Sequence, residues 1–134
     1  MYKVVLDTNV LVSALWSEQG NPYRVLEMFL NDEIMLYYNT EIIEEYSEVL
    51  HRDRLGFSDE KVLGLLLEIT EKGVLVDAPN SSIPFVDEDD RKNYDTAKAS
   101  GAIVVTGNKK HYPNESMILS PAEFLDSFKL KQTE

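Results

Sequence analysis

The stretch Tyr2-Lys3-Val4-Val5-Leu6-Asp7-Thr8-Asn9-Val10-Leu11-Val12-Ser13-Ala14 decides how the chain is read. Val4, Val5 and Leu6 form a continuous apolar run rich in β-branched residues, with no polar alternation. A strand buried on both faces of a parallel sheet reads this way. The run stops at Asp7. Thr8 and Asn9 carry side chains that can cap a helix, and a second apolar segment runs from Val10 to Trp16. Asp7 is thereby expected at the carboxyl end of a first strand, directly before a helix, which is the edge where open α/β sheets bind ligands. An aspartate there also makes a good helix cap, so its position alone leaves both roles open.

Outward from this unit, strand and helix signals alternate. Asn21-Pro22 reads as an N-cap followed by proline in the first turn, with Leu26, Phe29 and Leu30 at helical spacing. Residues 34–38 are a second strand, and Thr40 caps a helix over 41–52. Ser58 caps a helix that ends at Lys72, with Gly73 as its stop, and 74–76 form a third strand. A loop over 77–84 leads to Asp87-Glu88-Asp89-Asp90 and a helix over 91–100. Residues 102–106 repeat the fully buried strand pattern, Gly107-Asn108 turns the chain, and 117–119 form a last strand. Ser120-Pro121-Ala122-Glu123 combines a capping box with proline at N1 and opens a final helix through Phe128; the polar stretch 129–134 reads as a frayed tail. This alternation predicts an α/β fold, a three-layer α/β/α sandwich on a mostly parallel central sheet, with residues 1–134 as a single domain.

The composition narrows the class. A chain of 134 residues that is 43% hydrophobic can build one real core. No apolar run approaches the ~18 residues of a membrane span, and the first strand starts too early to leave room for a signal peptide. With no cysteine, disulfides and thiolate metal sites are excluded, as expected of a cytoplasmic protein. The net charge of −11 makes a poor non-specific nucleic-acid binder and favours cations or basic partners. A polyanionic substrate must then be met by metal ions or by a local basic patch. Lys109, Lys110 and His111 are the only dense basic cluster before the tail.

Three acidic residues fall at comparable topological places. In the 41–52 helix, Ile42, Ile43, Tyr46, Val49 and Leu50 form one apolar stripe. At about 100° per residue Glu44 lies opposite that stripe, Glu41 and Glu48 lie well away, and Glu45 lies nearest its edge. Asp7 ends the first strand, Glu45 follows the second, and Asp90 opens the helix before the 102–106 strand. Neighbouring parallel strands are ~4.8 Å apart, so carboxylates at their rim can converge. Converging carboxylates repel one another and are stable mainly with protons or a hard divalent cation, Mg2+ or Mn2+. The acidic run 87–90 is also what a helix start attracts through the macrodipole. With only His51 and His111 and no cysteine, a classical zinc site is not expected.

At this point the chain resembles the PIN-domain ribonucleases, and within them the branch of toxin components of toxin–antitoxin systems. The resemblance rests on four motifs in order. Val5-Leu6-Asp7-Thr8-Asn9-Val10-Leu11 is similar to the first-strand motif. Ile43-Glu44-Glu45-Tyr46-Ser47-Glu48-Val49-Leu50 is similar to the helix bearing the glutamate. Asp87-Glu88-Asp89-Asp90-Arg91-Lys92-Asn93-Tyr94-Asp95 is similar to the second acidic segment, and Val105-Thr106-Gly107-Asn108-Lys109-Lys110-His111-Tyr112-Pro113 to the strand-end turn. The resemblance implies Mg/Mn-dependent hydrolysis of RNA phosphodiester bonds, a cognate antitoxin and, in many relatives, a homodimer. It also implies roles: Asp7 binds metal, Glu45 binds metal or orients the attacking water, and Asp90 completes the cage. Many relatives carry an aspartate where this chain has Asn108. Asp95 is the other candidate for a fourth acid, although five residues on from Asp90 it points ~140° away. Thr8, Asn9, Ser13, Thr106 and Asn108 are neutral candidates beside substrate or water, and Lys109, Lys110 and His111 are candidates to neutralise RNA phosphates.

Two other readings share the layout. A receiver-type phosphoacceptor domain needs an acidic pair after the first strand and an acceptor aspartate on a middle strand. Here Asp7 stands alone and Asp77 serves only loosely; a dehalogenase-type phosphatase needs an aspartate where Asn9 sits. A catalytically weak or inactive PIN-like binding module is the second, suggested by Asn108 and the strong negative charge.

Overall fold

A computed structural model of the chain describes residues 1–133. β1 (Tyr2–Leu6) leads into α1 (Thr8–Trp16) and α2 (Asn21–Leu30), and β2 (Ile34–Tyr38) leads into α3 (Thr40–Leu50) and α4 (Asp59–Lys72). The edge strand β3 (Val74–Leu75), a long loop and α5 (Arg91–Ser100) follow. β4 (Ile103–Val105), β5 (Ile118–Leu119) and α6 (Pro121–Thr133) complete the order. The sheet runs β3-β2-β1-β4-β5 with every pairing parallel. Helices flank it in a three-layer α/β/α sandwich.

β1 takes the centre because its sequence permits nothing else. Val4, Val5 and Leu6 are fully buried, pairing Val4 with Leu36 on one side and Leu6 with Val105 on the other. The run thus has a strand along each edge and no face open to water. Tyr46, Tyr94, Phe29 and Phe124 are the largest fully buried side chains around it. Asp77 follows β3, at the sheet edge, so no aspartate ends a strand beside β1 in the way a receiver acceptor would.

Two helix starts fall one residue from where the sequence puts them. Asn39, not Thr40, caps α3, accepting the Ile42 N–H at 2.8 Å. Gly20 stands at the α2 cap, with Asn21 as the first helical residue and no side-chain cap bond. Ser58 caps α4 as expected (3.2 Å from the Lys61 nitrogen), and the Ser120/Glu123 box closes reciprocally at 3.1 and 2.9 Å. α6 does not stop near Phe128. It continues through Thr133, where lysine, leucine and glutamine favour helix; Glu134 lies outside the described residues. Short 3-10 turns at Asp53–Leu55, Glu88–Asp90 and Lys109–His111 carry no periodic signal and were not expected. Among the described residues no helix is long and apolar enough to cross a membrane.

Gly73 ends α4 for a reason other than left-handed backbone, since its φ is −79°. A Cβ there would collide with the Ile69 carbonyl and lie 3.0 Å from both the Leu36 carbonyl and the Tyr38 ring. Gly73→Ala is therefore expected to destabilise the fold by about 1 kcal/mol or more, read as a lower urea midpoint. An unchanged midpoint would show that β2 and α4 can separate without cost.

Candidate active site

The end of β1 is held firmly. The Asp7 N–H bonds the Val105 carbonyl at 3.0 Å, extending the ladder one residue past the strand. The Asp7 carboxylate is 7% exposed. Its Oδ2 accepts the Thr106 hydroxyl and the Tyr112 phenol, each at 2.9 Å. Its Oδ1 takes only the Asn9 N–H, at 3.4 Å, as N-cap of α1. One oxygen is thus saturated from inside the protein while the other keeps most of its accepting capacity. Behind these donors stand two more bonds: Asn108 N–H to Thr106 Oγ1 and Asn93 Nδ2 to the Tyr112 hydroxyl, both 3.0 Å.

Asp90 approaches from α5. It is the N-cap of that helix by position, yet its side chain makes no cap hydrogen bond. Capping by a hydrogen bond therefore does not account for this carboxylate. Its side chain is 13% exposed, and His111 Nδ1 lies 3.6 Å from its Oδ2. Burial pushes the Asp90 carboxyl up to about 6, the charges of Asp7 and Asp87 push the same way, and His111 and Lys92 oppose them. Asp87, Asp90 and His111 each offer one ligand atom, all within 4.8 Å of one another. Carboxylate oxygens with one imidazole form a donor set suited to a divalent cation, and such an ion would relieve the crowding of negative charge around Asp90.

Glu45 comes from α3. It is half-buried, whereas Glu41, Glu44 and Glu48 are exposed, as the helical phase predicts. Its Oε2 accepts the Thr8 hydroxyl, beside Asp7, and its Oε1 lies 2.9 Å from Lys92 Nζ. Lys92, with its side chain 11% exposed, also donates to the Asp89 carbonyl. The next residue on α3, Tyr46, donates to the Leu6 carbonyl and so ties the helix to the end of β1. Burial first, then Asp7 and Glu45, raises the Tyr46 phenol well above its ordinary value; burial and Asp7 do the same to Tyr112. Both phenols remain protonated donors.

Other candidates go elsewhere. Asp95 is buried, but its carboxylate accepts the Ser81 N–H at 2.9 Å and pins the 77–86 loop with help from Arg91, which donates to the Ser81 carbonyl at 2.6 Å. Asn108 is exposed, and with φ −131° it does not use the left-handed conformation. The turn is shaped instead by Thr106 and by Asn9, whose Oδ1 accepts the Gly107 N–H at 3.3 Å. Ser13 is exposed on α1. Lys109 pairs with Glu123 at 2.9 Å in an exposed ion pair, and Lys110 is exposed. His111 lies against Asp90 rather than in an open basic patch. Sequence reasoning missed Asp87, Lys92, Asn93 and Tyr112. Asp87 alone carried a signal, as the first member of the acidic run.

Residues 3–110 match the PIN domain family. An uncharacterized protein of Methanocaldococcus jannaschii is 33% identical to this chain over 112 residues, covering 80% of this chain and 71% of that protein.

Proposed function

The chain belongs to the PIN domain family, and from that membership we propose that it is a Mg2+- or Mn2+-dependent endoribonuclease, working as one domain and as the toxin of a toxin–antitoxin pair. PIN domains are generally nucleases that act on RNA and use divalent metal ions. The observation that carries the reading is Asp90. It stands at a helix start without capping it, is nearly buried, and faces the charges of Asp7 and Asp87. Carboxyls raised by burial and by like-charged neighbours concentrate at functional sites.

In this reading Asp7 and Asp90 would hold the cation, with Asp87 beside Asp90. When bound, a divalent cation polarises a phosphoryl oxygen and makes water a better nucleophile near neutral pH. Thr106 and Tyr112 fix the Asp7 carboxylate by occupying its inner oxygen, so its outer oxygen is oriented before anything binds. Glu45 accepts the proton of the attacking water at its Oε atoms. Thr8 and Lys92 orient it by donating to its two carboxylate oxygens. Lys110, exposed on the turn after β4, is a cation left to meet phosphates of the substrate. The acidic surface suits a basic antitoxin better than bare RNA, and a cytoplasmic homodimer would follow the family pattern.

The test is cleavage of mixed-sequence single-stranded RNA by the purified protein with Mn2+ and with EDTA. Cleavage is expected only with metal. Glu45→Gln is expected to slow it by about 10²-fold, and Glu44→Gln, at an exposed neighbouring position with no hydrogen bond to the site residues, to leave it unchanged. Equal rates in the Glu45 and Glu44 variants would remove Glu45 from the chemistry. Metal-stabilised protein with no cleavage would instead favour the binding-module reading, for which Asn108 in place of an acid is the supporting feature.

A further inference from the structure

We propose that His111 is a ligand of the divalent cation and that its imidazole nitrogen makes the site prefer manganese to magnesium; the inference rests on the metal-dependent reading above. The turn Lys109–His111 leaves the end of β4 and is closed by the His111 N–H on the Asn108 carbonyl at 3.0 Å. The next residue, Tyr112, is buried and anchored twice, donating to Asp7 Oδ2 and accepting from Asn93 Nδ2. His111 is therefore set against the acidic rim by its neighbour's bonds, not left on a free surface loop. Its Nδ1 stands 3.6 Å from Asp90 Oδ2. That is too long for a hydrogen bond, so the two atoms face each other without being bonded directly.

The spacing suits a shared ion. Donor atoms of Asp87, Asp90 and His111 all lie within 4.8 Å of one another. Ligands about 2.1 Å from one octahedral cation are separated from each other by about 3–4.2 Å, a range that small side-chain adjustments reach. The segment bearing the two aspartates is braced on the same tyrosine: Phe85 packs edge-on against Tyr112 (6.1 Å) and against Tyr94 (5.4 Å). Tyr112 thus joins Asp7, the histidine turn and the entry to the acidic turn into one unit.

The donor chemistry sets the preference. Oxygen ligands serve magnesium and manganese alike, whereas an imidazole nitrogen strengthens binding of transition ions and adds little for magnesium. The other histidine does not compete for this role. His51 lies on the far end of α3, with Nδ1 2.7 Å from the Ser47 carbonyl.

The experiment is calorimetric titration of Mn2+ and, separately, Mg2+ into the wild-type protein, His111→Ala and His51→Ala, with pulsed electron spin resonance of bound Mn2+ to read nitrogen hyperfine coupling. Wild type is expected to bind Mn2+ more tightly than Mg2+ and to show the nitrogen coupling. His111→Ala is expected to weaken Mn2+ by about tenfold or more, to leave Mg2+ within about twofold, and to lose the coupling, while His51→Ala keeps all three properties. Circular dichroism checks that the variants are folded, and His111→Gln, which keeps a polar side chain, serves if the alanine variant is not. Equal weakening of both ions, or nitrogen coupling absent from wild type or surviving in His111→Ala, would overturn the assignment. Mn2+ bound without nitrogen removes His111 alone and leaves the metal-dependent reading standing. Wild type that binds neither ion removes both.

Discussion

An Asp7→Asn protein is expected to fold like the wild type, to lose binding of Mn2+ at millimolar concentration, and to cleave RNA on the order of 10³-fold more slowly. The fold survives because the change is nearly isosteric. An amide oxygen can accept the same Thr106 and Tyr112 hydroxyls that now converge on Oδ2, and asparagine caps a helix as well as aspartate does. What disappears is a full negative charge in a site only 7% exposed, where reduced dielectric strengthens its attraction for a cation. The same charge acts on Asp90, whose carboxyl is pushed up to about 6 first by burial and then by Asp7. A carbon-13 NMR titration of the metal-free variant should accordingly find the Asp90 carboxyl lower than in wild type. That titration separates loss of charge from loss of structure. If Asp7→Asn cleaves RNA at the wild-type rate, Asp7 is not in the active site or the activity belongs to a contaminant.

How much of this was legible in the sequence depends on the range of the interaction involved. β1 was legible because a central parallel strand needs an unbroken apolar run, and Val4-Val5-Leu6 supplies one. Glu45 was legible because helical phase is local: one of four glutamates lies at the edge of the apolar stripe, and that one is half-buried. The same arithmetic turned Asp95 away from Asp90, and its carboxylate went to Ser81. The bonds that shape the rim were not legible. Tyr112 reaches Asp7 across 105 positions, and Lys92 reaches Glu45 across 47. Nothing near either residue distinguishes it from an ordinary aromatic or a solvated lysine. The turn Lys109–His111 was hidden for a related reason. A single 3-10 turn is too short to show periodicity, so its three residues read as a basic patch although one pairs with Glu123 and another faces Asp90. Helix ends were misplaced where two capping residues compete, as at Asn39 and Thr40.

In the metal-free protein Asp90→Asn is expected to raise stability above pH 7 and to have no such effect near pH 4. The folded protein holds the Asp90 proton more tightly than the unfolded chain, with a carboxyl at about 6 against 3.8. Protonation of this group therefore favours folding. Its contribution is fully present below about 3.8, declines as pH rises, and is lost above about 6. Two units correspond to on the order of 2–3 kcal/mol, and the side chain is buried enough, at 13% exposure, for most of that to be felt. Asparagine imitates the neutral form at every pH. The difference in unfolding free energy between variant and wild type, from urea denaturation in EDTA, should thus be near zero at pH 4 and rise to a plateau by pH 7–8. Saturating Mn2+ should reverse the sign at pH 7–8. Wild type then gains the binding free energy of an ion that the variant cannot hold, and a ligand that binds only the folded state stabilises it in proportion to the logarithm of its concentration over Kd. A carboxylate that is only buried, and holds no cation, gives the rise without the reversal. A difference that stays flat across pH would mean that Asp90 is ionised at no cost, and one that rises but does not reverse with Mn2+ would mean that the repulsion is real and the cation does not answer it.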